Sequence, residues 1–328
     1  MPVADHVDVL ASLLEVHRLR TVVAGRIDLT PPWRLDTEPA DDSVDLISIL
    51  IQCAGQTHLV MEPGTDPVVL QTGDVVVSFP RTNAYMHDGS DPAIATWRLA
   101  MPPRGVAAPI PLRLAAGEPQ TSLVNCVLEI GGAPRGALLS GLPGVIHLST
   151  HAMGESTQLQ LITEAMIAES SAPGAASPRL MSRLAEALLI LVLRIQAADL
   201  SSSPGLRALN DPMIAPVIGL MHADPGKPWS VASLAAACGL SRSAFAEHFS
   251  ATVGQTPLAY LTSWRMATAA RLLTTTNATV SSISEAVGYR SEAAFRHAFT
   301  AALHRSPREY RVVQRTAEAP ALPGPSTA

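Results

Sequence analysis

The sequence predicts an α+β protein in which an all-β domain precedes an all-helical one. Between about Ser43 and Thr150, short apolar runs rich in β-branched residues are separated by Gly, Pro and Asp, a pattern typical of a β sandwich or barrel. Over residues 211–315 the apolar residues instead recur with helical spacing. The chain has 328 residues, 47% of them hydrophobic, so each domain can bury a core of its own.

Two helices are predicted between these domains, over Glu155–Ser170 and Pro178–Ala198. The second helix carries one apolar stripe, formed by Leu180, Leu184, Leu188, Leu191 and Ile195. Further apolar residues lie on its other faces, so this helix must be covered on more than one side. The cover is either the rest of the chain or a second copy in a homodimer.

A stretch rich in Ser, Pro, Gly and Asn over residues 199–210 predicts a linker, because it cannot continue a helix. The Pro- and Ala-rich end, residues 316–328, predicts a disordered tail. The sequence thus divides into a β domain at 1–150, a helical dimerisation segment at 151–198, the linker, a helical domain at 211–315 and the tail.

Charge is distributed unevenly along the chain, whose net charge is −5. Residues 1–210 contain 13 basic and 21 acidic side chains, whereas residues 211–315 contain 10 basic and 6 acidic ones, a net charge of +4. The helical domain is therefore suited to a polyanionic partner such as nucleic acid.

The sequence predicts neither a targeting segment nor a membrane span. The N-terminal segment carries Asp5, Asp8 and Glu15 among its leucines, unlike a signal peptide. The longest apolar run, Ala187–Leu193, is far shorter than the roughly 20 residues that cross a bilayer. We therefore expect a cytoplasmic protein without a membrane partner.

An internal repeat marks the helical domain. The segment that begins at Val231 matches the segment that begins at Val280 at an offset of 49 residues, which becomes 50 from the first phenylalanine onward. The matched pairs are Val231/Val280, Leu234/Ile283, Gly239/Gly288, Phe245/Phe295, Phe249/Phe299, Pro257/Pro307 and Tyr260/Tyr310. One supersecondary unit is used twice, with one residue inserted in the second turn.

Each repeat is predicted to form a short helix, a tight turn and a second helix. Gly239 and Gly288 follow the last apolar position of the first helix, where the chain needs a positive φ to leave the helix. Ser241 and Ser291 then stand where a hydroxyl can accept from the first free amides of the next helix. The paired phenylalanines, four residues apart, are predicted to be core residues that fix the angle of the second helix.

Two helices joined by a Gly-containing turn are typical of the helix-turn-helix, whose second helix enters the major groove of DNA. A solenoid is the alternative, but solenoids stack three or more copies directly. Here a predicted helix over Pro257–Asn277 separates the copies, with inward-facing residues Leu258, Leu261, Trp264, Ala269 and Leu272. Its roughly 18 helical residues span about 27 Å, of the order of the roughly 34 Å between successive major-groove faces.

Residues 211–315 resemble the DNA-binding domain of the AraC/XylS family of bacterial transcription regulators over their whole length. The resemblance is carried by the two helix-turn-helix units, by the run RMATAARLLTTTNATVSSISEAVGYRSEAAFRHAF and by the closing SPREYR. It implies recognition helices at about Ser241–Val253 and Ser291–Ala302. It also implies a signal-responsive, sequence-specific homodimeric regulator that binds two successive major grooves of double-stranded promoter DNA and acts on RNA polymerase.

The resemblance implies which side chains would face the DNA. The groove-facing positions hold Ser243, Ala246, Glu247, Ala293, Ala294 and His297. These residues can make few base contacts, so DNA shape is expected to add to specificity. Phosphate contacts would come from Arg242, Arg290, Arg296 and the helix N-termini at Ser241 and Ser291. His248 and His297 are expected to be solvated or to face phosphates.

The segments PWRL, LQTGDVVVSFPRTNAYMHD and LPGVIHLS resemble the cupin-like sensor domain found in one branch of that family. Some members of this branch respond to oxidants through a cysteine, and Cys126 occupies such a place. Three widely spaced cysteines favour neither a disulfide framework nor a zinc cluster, and a buried thiol is the simpler interpretation.

A metal-dependent cupin enzyme, or a small-molecule-binding protein with an attached DNA-binding domain, is the alternative function. Cupin enzymes hold a metal with two or three histidines and a carboxylate. Here no second histidine follows His58 closely, and Tyr85 stands where a histidine is expected, which leaves His87, His147 and His151 scattered. We therefore expect no metal, no cofactor and no enzymatic activity. The candidates for sensing a small-molecule or redox effector are Cys126, His58 and Tyr85.

Overall fold

The computed structural model describes residues 8–17, 19–37, 45–61, 66–79, 84–90, 96–99, 108–109, 112–114, 118–130, 144–150, 156–198, 206 and 208–318. They form two compact units. The barrel unit comprises the described residues between 19 and 193, and the helical unit comprises residues 8–17 and those from 194 onward. Most of the predicted linker, the tail from residue 319, and His151 lie outside the described residues.

Two β-sheets make up the barrel unit. Its strands are β1 (Leu19–Leu29), β2 (Arg34–Thr37), β3 (Asp45–Ala54), β4 (Thr57–Val60), β5 (Val68–Leu70), β6 (Val75–Ser78), β7 (Tyr85–His87), β8 (Thr96–Leu99), β9 (Ala108–Pro109), β10 (Leu112–Leu114), β11 (Thr121–Ile130) and β12 (Val145–Leu148). The larger sheet has the order β10-β1-β11-β3-β6-β12, with β9 also paired to β1, and the smaller sheet has the order β5-β4-β7-β2-β8. The β region begins earlier than the predicted Ser43, because β1 pairs with β11 from Leu19 to Leu29.

The two sheets enclose an apolar core. Ile27, Leu50 and Leu123 contribute from the larger sheet, and Leu59 and Met86 contribute from the smaller one. Strand residues alternate between faces, so the intervening side chains of the smaller sheet project away from this core. The predicted β sandwich or barrel is thus confirmed.

The outer face of the larger sheet is covered by helix α2 (Thr157–Ser171), which contacts β1, β3 and β11. Leu159 and Met166 of α2 are fully buried, as are Ile49 and Val124 of the sheet. Among the described residues, no helix combines the length and the apolar character that a membrane span requires.

The buried face of helix α3 (Ser177–Ala198) coincides only in part with the predicted stripe. Met181, Ala185, Leu188 and Val192 are buried, whereas Leu180 is 47% exposed. Apolar residues occur all around this helix, so periodicity alone could not identify the covered face. Of the predicted stripe, Leu188 is therefore covered within the chain, whereas Leu180 is not.

The helical unit consists of α1 (Val9–His17), α4 (Ile214–Ala223), α5 (Val231–Ala237), α6 (Arg242–Val253), α7 (Pro257–Thr275), α8 (Val280–Ala286), α9 (Glu292–Leu303) and α10 (Pro307–Glu318). Two core clusters hold it together, one around α5 and α6 and the other around α8 and α9. Helix α7 contributes Leu261 and Trp264 to the first cluster and Ala270 and Leu273 to the second. The connecting helix is therefore packed into both modules.

Leu258 of α7 is 45% exposed, so its predicted inward position is wrong. The first turn of α7 instead buries Pro257, Tyr260 and Leu261. Positions one residue apart on a helix differ by about 100°, which turns Leu258 away once its neighbours are buried.

Helix α1 packs in the core of the first module, although its residues fall in the predicted β domain at 1–150. Val9, Leu13 and Val16 are buried in the cluster that contains Phe245 and Trp264. The first module is therefore completed by a segment more than 200 residues before it in the chain, and the barrel begins at Leu19.

Candidate nucleic-acid interface

The turn of each repeat has the predicted chemistry. Gly239 and Gly288 adopt φ values of +70° and +83°. The Ser241 hydroxyl accepts a hydrogen bond from the Ala244 amide at 3.3 Å, and the Ser291 hydroxyl accepts one from the amide three residues on at 3.4 Å. The hydroxyls thereby cap α6 and α9, as predicted.

Gly288 is required for space as well as for its φ. A Cβ atom added there would lie 2.7 Å from the carbonyl oxygen of Gly226 and 2.8 Å from a guanidinium nitrogen of Arg265. The turn of the second module thus packs directly on the segment that precedes α5, which leaves no room for any side chain.

The phenylalanine pairs form the same aromatic cluster twice. All four rings are fully buried, as predicted. The ring centroids of Phe245 and Phe249 are 5.6 Å apart, and Phe249 meets Tyr260 edge-on at 5.8 Å. In the second module the corresponding distances are 5.6 Å between the phenylalanines and 5.5 Å from Phe299 to Tyr310. Each cluster fixes one face of α6 or α9 inward, so the opposite face is presented to solvent.

The residues that the resemblance implies for DNA contact lie on these outward faces. Ala246 is half-buried, and the other ten are exposed, namely Ser241, Arg242, Ser243, Glu247, Arg290, Ser291, Ala293, Ala294, Arg296 and His297. Arg242 begins α6 and Arg290 precedes the cap of α9, so a positive charge accompanies the positive end of each helix dipole. Small and polar groups occupy the middle of each face, where they allow close approach to a partner.

Two side chains near these faces already have protein partners. The Nε atom of Arg296 donates to the Glu292 carboxylate at 2.8 Å, one helical turn away. His248 is half-buried, with its Nε2 atom 2.9 Å from a carboxylate oxygen of Asp211. The expectation that His248 is solvated or faces phosphate is therefore wrong, because the Asp211 carboxylate, which also accepts from the Ile214 amide at the start of α4, contacts the ring.

Two arginines that sequence reasoning missed hold the modules together. In α7, Arg265 donates to the carbonyl oxygens of Pro225 and Lys227 at 2.7 and 2.8 Å. In α10, Arg315 donates to the carbonyl oxygen of Thr276 at 2.5 Å and to Asn277 Oδ1 at 3.0 Å. Each arginine thus fixes the loop before the first helix of its module. The signal was present in the sequence, since the two arginines match at the repeat offset of 50.

Comparisons with known proteins agree with this two-part architecture. The family described as Cupin matches residues 8–198, more than half of the chain, and the family described as Helix-turn-helix domain matches residues 234–312. An AraC-like transcription regulator of Streptomyces lividans is 38% identical over 191 residues, 58% of this chain and 62% of its own. The transcriptional regulator AlkR of Acinetobacter baylyi is 37% identical over 179 residues, 53% of this chain and 58% of its own. The chain belongs to the family described as Cupin.

The chain spans about three-fifths of the length of those relatives. Among solved structures, the DNA-binding domain of AdpA in complex with a target DNA is 33% identical, with a TM-score of 0.31. That comparison covers 32% of this chain and 95% of the AdpA domain.

In the barrel of this cupin-family protein, Cys126 lies on β11 and is fully buried. Burial raises the pKa of its thiol to about 12. Burial also raises the pKa of Cys53 to about 11. Because the thiolate is the nucleophilic form, both sulfurs are poorly reactive near neutral pH.

His58 has a second histidine beside it, contrary to the expectation from sequence. The rings of His58 and His87 stack with centroids 5.1 Å apart, because the two residues are register partners on β4 and β7. Tyr85 lies two residues before His87 on the same face, with its ring centroid 6.0 Å from that of His87. His147 instead contacts Asp74, at 2.9 Å. Within the ranges that the structure describes, no three His, Cys, Asp or Glu side chains are grouped to hold a metal ion.

Proposed function

We propose that this protein is a signal-responsive transcription regulator that binds promoter DNA through α6 and α9, each inserted into one of two successive major grooves. The observation that carries the proposal is the duplicated module. In both copies a serine-capped second helix is anchored by two fully buried phenylalanines and presents an outward face of exposed residues. That presentation is what groove recognition requires.

Contacts on these faces would fall into two classes. Arg242, Arg290 and Arg296, with the capped helix N-termini, would bind phosphates. Ser243, Glu247 and His297 can hydrogen-bond base edges, and Ala246, Ala293 and Ala294 can meet thymine methyl groups. Because these faces carry few long polar side chains, we expect part of the sequence specificity to come from recognition of DNA shape.

The remaining parts of the proposal concern assembly and signalling. The half-buried and exposed leucines of α3 support a homodimer, in which a second copy covers Leu180. The barrel would sense a small-molecule or redox effector and shift the arrangement of the DNA-binding modules, and RNA polymerase would be the partner at the promoter. We place the protein in the cytoplasm, associated with the nucleoid, as a regulator rather than an enzyme.

The test is selection of bound sequences from a random duplex library by the full chain, followed by affinity measurements on the selected site. We expect Arg242→Glu and Arg290→Glu each to weaken binding strongly, because each variant places a negative charge beside the phosphates. Arg308→Glu makes the same charge change at an exposed position of α10, which carries none of the proposed contacts, and serves as the matched control. Equal binding by all three variants and the parent chain would show that α6 and α9 are not the reading helices.

A further inference from the structure

Three cationic or ionisable side chains lie in one row across the smaller sheet. His87 of β7 is the register partner of His58 on β4 and of Arg34 on β2. Directly opposed residues of adjacent strands project from the same face. The flanking row, Leu35, Leu59 and Met86, faces the apolar core, so the row of three faces outward. All three of its side chains are half-buried.

A second row positions Arg34. Its guanidinium carbon lies 4.0 Å from the centroid of the Tyr85 ring, and its Nε atom donates to the Asp36 carboxylate at 2.8 Å. Tyr85 and Asp36 are themselves register partners on this face. The aromatic ring and the carboxylate therefore hold the permanent positive charge beside the two imidazoles.

The hydrogen bonding of His87 determines what this row can bind. The backbone N–H of Gly89 donates to Nδ1 of His87 at 3.1 Å. An N–H group can only donate, so Nδ1 is the acceptor and a neutral His87 ring carries its proton on Nε2. Coordination of a metal by Nε2 would require the proton to move to Nδ1, against the Gly89 N–H. The ring therefore offers a donor, which an anion can accept.

The loop after β7 holds the other imidazole. A Cβ atom added at Gly89 would lie 2.9 Å from Nε2 of His58, so the backbone of this residue packs against that edge of the ring. Gly89 thus contacts both histidines, and its φ of +93° is one that side-chain-bearing residues rarely adopt.

We propose that Arg34, His58 and His87 form a binding site for a small oxyanion, a carboxylate or a phosphate, on the outer face of the smaller sheet. Arg34 supplies a fixed charge and His87 supplies an Nε2–H donor, both of which favour charge-assisted hydrogen bonds, while His58 stacks on the His87 ring. The site identifies the class of ligand that the sensor in the proposed function would bind. Only the role of this ligand in regulation rests on the proposed function, because anion binding can be measured without DNA.

Proton uptake is expected to accompany anion binding. Burial, then the nearby His58 and Arg34, lower the pKa of His87, and Asp88 partly offsets them. Among the described side chains, the charged and titratable groups on this face are Arg34, Asp36, His58, Tyr85 and His87, with Asp88 in the adjoining turn, and β5 presents the apolar Val69 opposite His58. On β8, Arg98 is the register partner of Asp36. A bound anion stabilises the protonated form of His87, at the cost of the Gly89 hydrogen bond, because a protonated Nδ1 cannot accept. Anion affinity should therefore rise as pH falls through the histidine range.

The experiment is calorimetric titration of the full chain, with inorganic phosphate in one arm and benzoate in the other. Each arm is run at about pH 5.5 and about pH 8, on either side of the ordinary histidine pKa. We expect at least one anion to bind, with affinity rising by up to about tenfold per pH unit for each proton taken up. The arm that binds more tightly distinguishes phosphate from carboxylate chemistry.

Variants locate the binding. We expect His87→Gln and Arg34→Gln each to reduce anion affinity by about tenfold or more, as the loss of a charge-assisted hydrogen bond would. His147→Gln makes the same substitution at another barrel histidine, one that contacts Asp74, and should bind like the parent chain. Near-ultraviolet circular dichroism checks that every variant is folded.

Three results would overturn the proposal. They are no binding of either anion by the folded chain at the lower pH, an affinity independent of pH, and binding unchanged in both variants. Tight Zn²⁺ binding that His58→Gln abolishes would also overturn it, in favour of a metal site. DNA binding is measured on the same samples, so loss of anion binding with intact DNA binding refutes the site alone.

Discussion

Nδ1 of His222 lies 2.6 Å from the hydroxyl oxygen of Ser12, which precedes it by 210 residues. The Ser12 hydroxyl also donates to the carbonyl oxygen of Val9 at 2.9 Å, so it accepts from the His222 N–H. On the other side of the ring, Nε2 is 2.6 Å from the Tyr260 hydroxyl, which donates to it. A neutral imidazole therefore satisfies every donor and acceptor in this series of hydrogen bonds. The ring centroids of His222 and Trp264 are stacked 3.5 Å apart. The hydrogen bonds join α1 to α4 and α7.

The first prediction concerns pH. Burial, with His17 as a lesser cause, lowers the pKa of His222 to about 3, below its ordinary value of 6.5. Between these values the unfolded chain binds a proton that the folded chain does not. The stability that His222 contributes is therefore complete above about pH 6.5 and is lost as pH falls toward 3, by about 1.4 kcal/mol per pH unit.

Denaturant unfolding of His222→Gln tests this prediction, followed by hydrogen exchange in peptides of the helical unit. Glutamine can donate and accept but does not titrate, so the variant should lack this component of the acid destabilisation. Carboxylates titrate in both proteins and cancel in the difference. Parallel stability profiles for the two proteins between about pH 6.5 and pH 4 would contradict the assignment of a buried neutral ring.

The sequence predicted those features that depend on residues close together in the chain. Gly288, Ser291 and Phe295 lie within a few residues of one another, and their spacing determines the turn, the cap and the buried face. The contact between Ser12 and His222 has no such signal, because it joins segments 210 residues apart. The pairing of His58 with His87 likewise depends on strand register, which a single sequence leaves open.

A second prediction concerns oxidant sensing through Cys126. Its buried thiol, with a pKa raised to about 12, should resist alkylation in the folded chain, whereas the half-buried Cys238 should react first. Mass spectrometry after iodoacetamide treatment near neutral pH gives the order of labelling. Denatured chain, in which all three cysteines are accessible, is the control. Labelling of Cys126 before Cys238 in the folded protein would favour the redox-sensing role.

A third prediction distinguishes phosphate contacts from base contacts at α9. Arg296→Ala should lower the affinity for all duplexes and reduce the salt slope by about one, as loss of one phosphate contact does. Glu292→Gln should have the opposite effect, because the carboxylate that now pairs with Arg296 loses its charge. Binding of the selected duplex over a range of salt concentrations measures both. A changed preference at one base pair with an intact salt slope would assign Arg296 to base recognition.

The last prediction tests the duplicated aromatic core that anchors α6 and α9. Phe295→Ala removes a fully buried ring that contacts Tyr289 and Phe299, so it should lower the free energy of unfolding of the helical unit by about 3 kcal/mol or more. Phe245→Ala should cost about as much, since its ring lies in the equivalent cluster of the first module. Leu258→Ala truncates an exposed side chain of α7 and should change stability by no more than about 0.5 kcal/mol. Hydrogen exchange of helical-unit peptides in denaturant measures all three, and a Phe295→Ala cost as small as that of Leu258→Ala would mean that the aromatic clusters do not anchor α9.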